Sequence, residues 1–188
     1  MDNKAHILEQ ALQLFAARGY DAVGVQEICA AAGVTKPTLY HYFGSKSGLL
    51  TALVQERAAP LRAALTAATA YNGDLSHSLE QVARAYFSFA TNEPTLYRLL
   101  LMLWFGVPAG EAFNVILAHN LEQHRLVEAM FAQAVADHGN MRERQRIFAA
   151  TFLGTLNTYI GMAGAGFMAL DDVALRQAVR QFSYGIYS

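Results

Sequence analysis

Residues 33–50 read GVTKPTLYHYFGSKSGLL and place four consecutive rings, at 40–43, between two lysines. Gly33 permits a left-handed turn, and Thr35 is a residue type that caps helices. Pro37 is tolerated in the first turn of a helix, because the N–H that it lacks would be unpaired there. The stretch therefore predicts a glycine turn followed by a short helix that ends at Gly44.

The residues before this turn predict a second short helix. Its apolar residues recur at i, i+3, i+4 and i+7, namely Val25, Ile28, Cys29 and Ala32. Two short helices joined by a glycine-containing turn form a helix-turn-helix, here over about residues 24–43. Gly24 stands at the cap of the first of these helices, where it caps more weakly than a polar residue.

Helical phase divides the row of rings into two halves. At about 100° per residue, Leu39, Tyr42 and Phe43 share the face that we expect to pack inward. The outward side holds Lys36, Pro37, Thr38, Tyr40 and His41. Such a face suits a DNA major groove, since hydroxyl and ammonium groups donate to phosphates while imidazole and threonine reach base edges. The proline adds an apolar surface for a thymine methyl group.

Lys46 is a cation in the first turn of the next helix, where it opposes the helix dipole at a cost of a few tenths of a kcal/mol. A bound phosphate would turn that cost into a gain, because helix N-termini also bind anions. The net charge of −1 means that DNA binding would rest on a few well-placed cations. The predicted DNA-contacting residues are Gly24, Thr35, Lys36, Pro37, Thr38, Tyr40, His41 and Lys46.

The segment AVGVQEICAAAGVTKPTLYHYFGSKSGLL, residues 22–50, resembles the DNA-binding signature of the TetR (tetracycline-repressor-like) transcriptional regulators. That signature has an AGVS-type turn, a recognition helix ending in YxYF or YHF, and a lysine that opens the next helix. The matching positions are Gly33, Val34, Thr35, Lys36, Leu39, Tyr40, Tyr42, Phe43 and Lys46. The segment departs from the family at Val23, often Thr, and at Ser47 and Gly48, where Glu often follows the lysine.

The whole chain is predicted to be all-α. Ala and Leu dominate its 188 residues, and no window is rich in β-branched residues. About nine helices are expected, over 3–18, 25–32, 36–43, 46–70, 75–92, 94–105, 111–138, 141–166 and from 171 or 172 onward. Residues 1–50 form the predicted DNA-binding domain, and the resemblance implies that 51–188 form a ligand-binding and dimerisation domain.

Two polar residues, Asn120 and His124, interrupt an apolar stripe on the helix predicted at 111–138. They either complete hydrogen bonds in the core or orient a ligand in a pocket, since leaving them buried and unpaired costs about 1–3 kcal/mol. The apolar surroundings favour a hydrophobic ligand. The candidate ligand-binding residues are Tyr97, Leu100, Trp104, Phe113, Leu117, Asn120, His124, Phe152, Thr155 and Tyr159.

Two further stripes are candidates for contact with a second copy of the chain. One carries small residues on the helix at 141–166, where glycines inside a helix suggest close approach of another helix. The other is an apolar stripe on the last helix, and packing within one chain is the alternative for both. The candidate dimer residues are Gly154, Asn157, Gly161, Leu175, Val179, Phe182 and Ile186.

Other features limit the classes of protein that the chain can belong to. Cys29 is the only cysteine, so no intrachain disulfide can form. The start MDNKAHILEQ lacks the pattern of a signal peptide, and the longest apolar run, from Leu99, is broken by Gly106 and Pro108. We therefore expect a cytoplasmic protein with no membrane partner.

The sequence shows no nucleophile with a matching base and no phosphate-binding glycine loop, so an enzyme is not expected. It suggests neither a cofactor nor a metal site. The resemblance implies a homodimeric regulator of transcription, most often a repressor that a small, hydrophobic molecule releases from its operator. Its partners would be operator DNA, that effector and a second copy of the chain. The alternatives are a helical protein-interaction module or an enzyme without DNA binding.

Overall fold

The computed structural model describes residues 3–108 and 110–185, apart from the side chain of Asn140, and the secondary structure in these ranges is helical. The helices are α1 (Asn3–Arg18), α2 (Val25–Ala32), α3 (Lys36–Phe43), α4 (Lys46–Arg57), α5 (Ala59–Ala68), α6 (Leu75–Asn92), α7 (Pro94–Trp104), α8 (Glu111–Ala134), a short 3-10 helix (Gly139–Met141), α9 (Gln145–Gly164) and α10 (Asp172–Tyr184). The all-α prediction is confirmed, and ten α-helices in the described ranges is close to the expected nine. None of these helices has the length and apolar character needed to cross a membrane.

The chain divides into two compact units. The first comprises the residues up to Ala59 together with Thr95–His119, and the second comprises Pro60–Pro94 together with the residues from Asn120 onward. The predicted division at residue 50 is a functional one, between DNA binding and ligand binding, and it stays a prediction.

The first unit holds the helix-turn-helix on a small core. α1 packs on α2 and α4, and α3 packs on both α2 and α4. The side chains at its centre are fully buried or nearly so: Ile7, Leu12, Phe15, Ile28, Leu39, Leu49, Leu50 and Leu53. Because α3 is only eight residues long, this burial of Leu39 against its neighbours is what fixes the direction of its outer face.

The second unit packs α6 against α9 and α10, which also contact each other. Its core is rich in aromatic residues. The Phe182 ring lies 4.8 Å from the Phe152 ring and 6.1 Å from the Phe131 ring, measured between centroids. Such ring pairs add to the stability that burial of their apolar surface provides.

The long helix expected over 46–70 is interrupted in the structure. α4 ends at Arg57, Ala58 has a non-helical φ and ψ of −91° and 1°, and α5 begins at Ala59. Pro60 explains the break, because a proline cannot donate to the residue four positions earlier and its ring clashes with that carbonyl. In the first turn of a new helix the missing N–H costs nothing.

The segment between α8 and α9 also differs from the prediction. α8 ends at Ala134 rather than near His138, and α9 starts at Gln145 rather than near Met141. Glu143 has a φ of 62°, in the left-handed region that a continuing helix does not use. The Tyr71 hydroxyl donates to the Asp137 carboxylate at 2.7 Å, and this bond fixes the segment that follows α8.

Candidate nucleic-acid interface

The turn between α2 and α3 has the predicted backbone geometry. Gly33 ends α2 with φ and ψ of 63° and 31°, and the Val34 N–H donates to the Cys29 carbonyl at 3.0 Å. Thr35 is extended and caps α3, where its Oγ1 accepts a bond from the Thr38 N–H at 3.4 Å. The end of α2 at Gly33 and the start of α3 at Thr35 together set the direction of α3.

The outward side of α3, which we call the α3 face, is the candidate nucleic-acid interface. It comprises Lys36, Pro37, Thr38, Tyr40, His41 and Tyr42. All of them are exposed except Thr38, which is half-buried. The Thr38 hydroxyl lies 2.9 Å from the Thr35 hydroxyl, so part of its hydrogen-bonding capacity is used within the helix cap.

Tyr42 was expected to pack inward with Phe43, and the structure corrects this. Tyr42 is 41% exposed, and its ring meets His41 edge-on at 5.5 Å between centroids. The physical reason is that Leu39 and Phe43 alone fill the narrow contact of an eight-residue helix, while Tyr42 lies at the border of that sector. Three neighbouring rings therefore face outward rather than two.

Gly24 is exposed and stands before α2 in an extended conformation. Its N–H donates to the Glu27 carboxylate at 3.1 Å, and Glu27 also pairs with Arg18. The Gly24 N–H and, next, the Arg18 guanidinium lower the pKa of Glu27. Val23 is fully buried, so at this family position the chain has a core residue instead of a hydroxyl.

The start of α4 explains the glycine at position 48. Ser45 caps the helix by accepting the Gly48 N–H at 2.9 Å. A Cβ at Gly48 would lie 2.0 Å from the Phe43 carbonyl oxygen, a distance at which atoms overlap. Gly48 thus allows the end of α3 and the start of α4 to approach closely, and no side chain fits there without a shift.

Lys46 is half-buried at this helix start and lies over the ring of Tyr20, with 4.0 Å from its Nζ to the ring centroid. Burial lowers the pKa of Lys46, against the opposing effect of the carboxylates of Asp21, Glu111 and Glu27. Lys46 therefore has partners within its own unit, whereas Lys36 is exposed on the α3 face. The structure places the two predicted phosphate contacts in different environments.

Half of the candidate ligand residues fall in the first unit: Tyr97, Leu100, Trp104, Phe113 and Leu117. Tyr97 and Leu100 are buried, and Leu117 is half-buried. The rings of Trp104 and Phe113 stack at 5.9 Å between centroids and are nearly parallel. These residues form an apolar part of the first unit.

The other half fall in the second unit: Asn120, His124, Phe152, Thr155 and Tyr159. Phe152 is fully buried, and the rest are half-buried. Burial lowers the pKa of His124 in spite of the nearby Glu128 carboxylate. Whether Asn120 and His124 orient a ligand remains a prediction.

A cavity of about 730 Å³, which we call the α9 groove, lies within the second unit. Thr155 and Tyr159 line it, together with Phe131, Phe148 and Phe182. Arg144 is the one charged side chain among the described residues of its lining, and its guanidinium lies 4.7 Å from the centroid of the Phe148 ring. A volume of this size suits a small organic molecule.

The candidate dimer residues divide into exposed and buried members. Gly154 and Gly161 are exposed with open space around them, and Asn157 is half-buried. Leu175 and Val179 are buried within the chain, and Phe182 packs in the aromatic core, so these three do not present an open apolar stripe. These three side chains pack within their own unit, and contact of the stripe with a second copy stays a prediction. Ile186 lies outside the described residues.

A buried polar pair in the second unit was missed by the sequence reasoning. The Tyr86 hydroxyl donates to the Gln123 side-chain carbonyl, and both residues are buried. Gln123 and His124 are neighbours on α8, and both are polar. The sequence pattern therefore did not indicate that Gln123 would be the more buried of the two. Among the described residues, no group of His, Cys, Asp and Glu is arranged to hold a metal ion.

α2, the turn at Gly33 and α3 form a helix-turn-helix whose second helix carries exposed rings. A family model described as bacterial regulatory proteins, tetR family, matches residues 7–53, from α1 into α4. Over these residues the chain therefore carries the DNA-binding domain of the TetR family. The relatives that match the chain are named as regulators of transcription and not as enzymes.

Among its relatives, the chain is 33% identical over 148 residues to the HTH-type transcriptional activator FasR of Mycolicibacterium smegmatis. The match spans 79% of this chain and 66% of that protein, just under two-thirds of its length.

Solved structures share the fold over almost the whole chain. The TetR family transcriptional regulator PfmR from Thermus thermophilus superposes with a TM-score of 0.70 at 26% identity, covering 96% of this chain and 98% of that one. The regulator FadR from Bacillus subtilis, solved in complex with stearoyl-CoA, superposes with a TM-score of 0.80 at 19% identity, covering 97% and 98%.

Proposed function

We propose that the chain is a transcriptional regulator that binds duplex DNA through the α3 face. The observation that carries this proposal is the exposure of Lys36 and three rings on α3, in a helix-turn-helix that matches a regulator family. Three ring-bearing side chains of this face are exposed to solvent and do not contribute to the core. A partner with a flat or anionic surface gives them a role.

Within this proposal, the residues of the α3 face contact different parts of the DNA. Lys36, Tyr40 and Tyr42 donate to phosphates and set the position of the helix on DNA, while His41 and Thr38 reach base edges. Pro37 offers its apolar ring to a thymine methyl group. Gly24 and Thr35 stand where helix starts could present backbone N–H groups or a hydroxyl to the phosphates.

The proposed active form is a homodimer. Two copies of α3 would enter successive major grooves about 34–36 Å apart, so the operator would contain two related half-sites. Gly154 and Gly161 lie on an exposed side of α9 with open space, which suits close approach of a helix from a second copy. Regulators of this kind work on chromosomal DNA, and we propose the cytoplasm as the location.

The proposed effector is a small, hydrophobic molecule. The α9 groove supports this, since aromatic and aliphatic side chains form much of its wall and Arg144 supplies a single positive charge. A likeness of fold to a regulator solved with stearoyl-CoA points to the same chemistry. An effector that binds one arrangement of the dimer better shifts the population toward it, and we propose release from the operator as the result.

DNA binding is tested by selection from a library of random duplexes, followed by gel shift on the enriched duplex. We expect an enriched site with two half-sites and weaker binding by Lys36→Ala and Tyr40→Ala. The matched control is Arg176→Ala, which removes an exposed cation from α10. The proposal is wrong if no duplex is enriched, or if both α3 variants bind like the control.

Effector binding is tested with stearoyl-CoA as the probe. We expect it to release the wild-type protein from the enriched duplex, and we expect Arg144→Gln to need more of it. The control Arg142→Gln removes a neighbouring exposed cation that is not part of the groove lining. If the two variants need the same amount of stearoyl-CoA for release, Arg144 has no role in binding it. If stearoyl-CoA does not release the wild-type protein, it is not an effector of this regulator.

A further inference from the structure

Tyr20 joins Lys46 to the first turn of α8 within the first unit. Tyr20 is buried in the turn after α1, where its ring lies 5.1 Å from that of Phe15. The Lys46 Nζ lies 4.0 Å from the centroid of the Tyr20 ring. On the other side, the Tyr20 hydroxyl donates to Glu111 Oε2 at 3.0 Å. One buried side chain thus contacts both a proposed DNA contact and an acidic residue of α8.

These contacts compensate the charge of Lys46 inside the protein. A cation in the first turn of α4 opposes the helix dipole, so a negative partner nearby stabilises it. The face of an aromatic ring attracts an ammonium group, and carboxylates of Asp21, Glu27 and Glu111 act on the same charge. A phosphate that binds Lys46 must therefore compete with groups of the protein itself.

We propose that Tyr20 and Glu111 are positioning residues that set how much of the Lys46 charge is available to DNA. The inference rests on the proposed function, because it concerns the same DNA-binding surface. Glu111 opens α8, the helix that carries the candidate ligand residues Phe113 and Leu117. A movement of this first turn relative to Tyr20 changes how strongly the Glu111 carboxylate compensates the charge of Lys46. The affinity for the operator changes as a result.

A double-mutant cycle on the duplex enriched by the wild-type protein tests this proposal. Glu111→Gln keeps the shape of the side chain and removes its charge. We expect it to tighten DNA binding about two- to fivefold, the range of a partly exposed charge pair. In a Lys46→Met background the same change should have no effect, because the group through which it acts is gone. Glu122→Gln is the matched control, an exposed glutamate later on α8, and should leave affinity unchanged.

Tyr20→Phe keeps the ring beneath Lys46 and removes only the hydroxyl, so it should tighten binding by less than Glu111→Gln. It also replaces Glu111→Gln in the cycle if that variant unfolds at a lower temperature than the wild type.

The proposal is overturned if Glu111→Gln tightens DNA binding equally in the wild-type and Lys46→Met backgrounds. The effect would then come from the general electrostatic field of the protein. Weaker binding by a fully folded Glu111→Gln protein overturns it as well. In both cases binding by the wild type leaves the proposed function standing. If the wild type enriches no duplex, both proposals fail.

Discussion

Gly48 leaves no room for a side chain at the α3–α4 junction. A Cβ there would meet the Phe43 carbonyl oxygen at 2.0 Å, and because that atom belongs to the backbone, the end of α3 would have to move. The position of the recognition helix therefore depends on a glycine that touches no DNA in our account.

We expect Gly48→Ala to lower the free energy of unfolding by about 1–3 kcal/mol, the usual cost of inserting a group into a filled space. Urea titration measures this. The control is Gly164→Ala in α9, which is not among the proposed dimer residues and where nothing lies within 4 Å of the added carbon. There the better helix propensity of alanine should raise stability by up to about 1 kcal/mol. A Gly48→Ala protein as stable as the wild type would contradict the account of this junction.

His41 is exposed beside Tyr42 and is our main candidate for contact with base edges. We expect His41→Ala to reduce discrimination by about 1–3 kcal/mol at one base pair of each half-site. Measuring affinities for all single-base variants of the enriched duplex tests this. Lys36→Ala should instead weaken every duplex alike, and an unchanged preference in His41→Ala would remove His41 from base recognition.

At the scale of elements, the sequence predicted α1, α2 and α3 well, because caps, glycines and a proline mark their ends. The break between α4 and α5 was missed, although Pro60 carries the cause, since the apolar pattern continues across it. The stripe on α10 shows a second limit. Periodicity identifies Leu175 and Val179 as one apolar face, but it cannot tell whether their own chain or a second copy covers that face.

α8 supplies a test of stability against pH. Burial lowers the pKa of His124 below its ordinary 6.5, and Arg146 acts in the same direction while Glu128 opposes it. Between the lowered value and 6.5 the unfolded chain binds a proton that the folded chain does not, so stability falls as pH falls through this window. We expect His124→Gln to flatten this decline. Denaturant titrations between about pH 7.5 and pH 5.5 measure it, and identical profiles would exclude His124 as the cause.

At the scale of the whole molecule, a net charge of −1 leaves little general attraction to DNA. In the proposed function, DNA affinity therefore comes from the α3 face, Lys46 and the pairing of two copies. The helix-turn-helix and the family resemblance could be predicted from the sequence, because this motif is local. The α9 groove could not, because it forms between helices far apart in sequence, such as α6 and α10.

The dimer can be tested by placing a charge on the open side of α9. We expect Gly154→Glu to give a folded monomer with much weaker operator binding, because a single copy reaches one half-site only. Sedimentation and circular dichroism measure the two properties. Ala132→Glu, at an exposed position of α8, is the control and should stay dimeric. A Gly154→Glu protein that is still a dimer would place the interface elsewhere.

The most direct test of the central claim, that the α3 face binds DNA, is the salt dependence of operator affinity for the wild type and Lys36→Ala. Fluorescence anisotropy on the enriched duplex at several salt concentrations gives the slope of log affinity against log salt. Loss of one phosphate contact should make the slope shallower by about 1 and weaken binding at every salt concentration. The same slope and the same affinity in both proteins would contradict the claim.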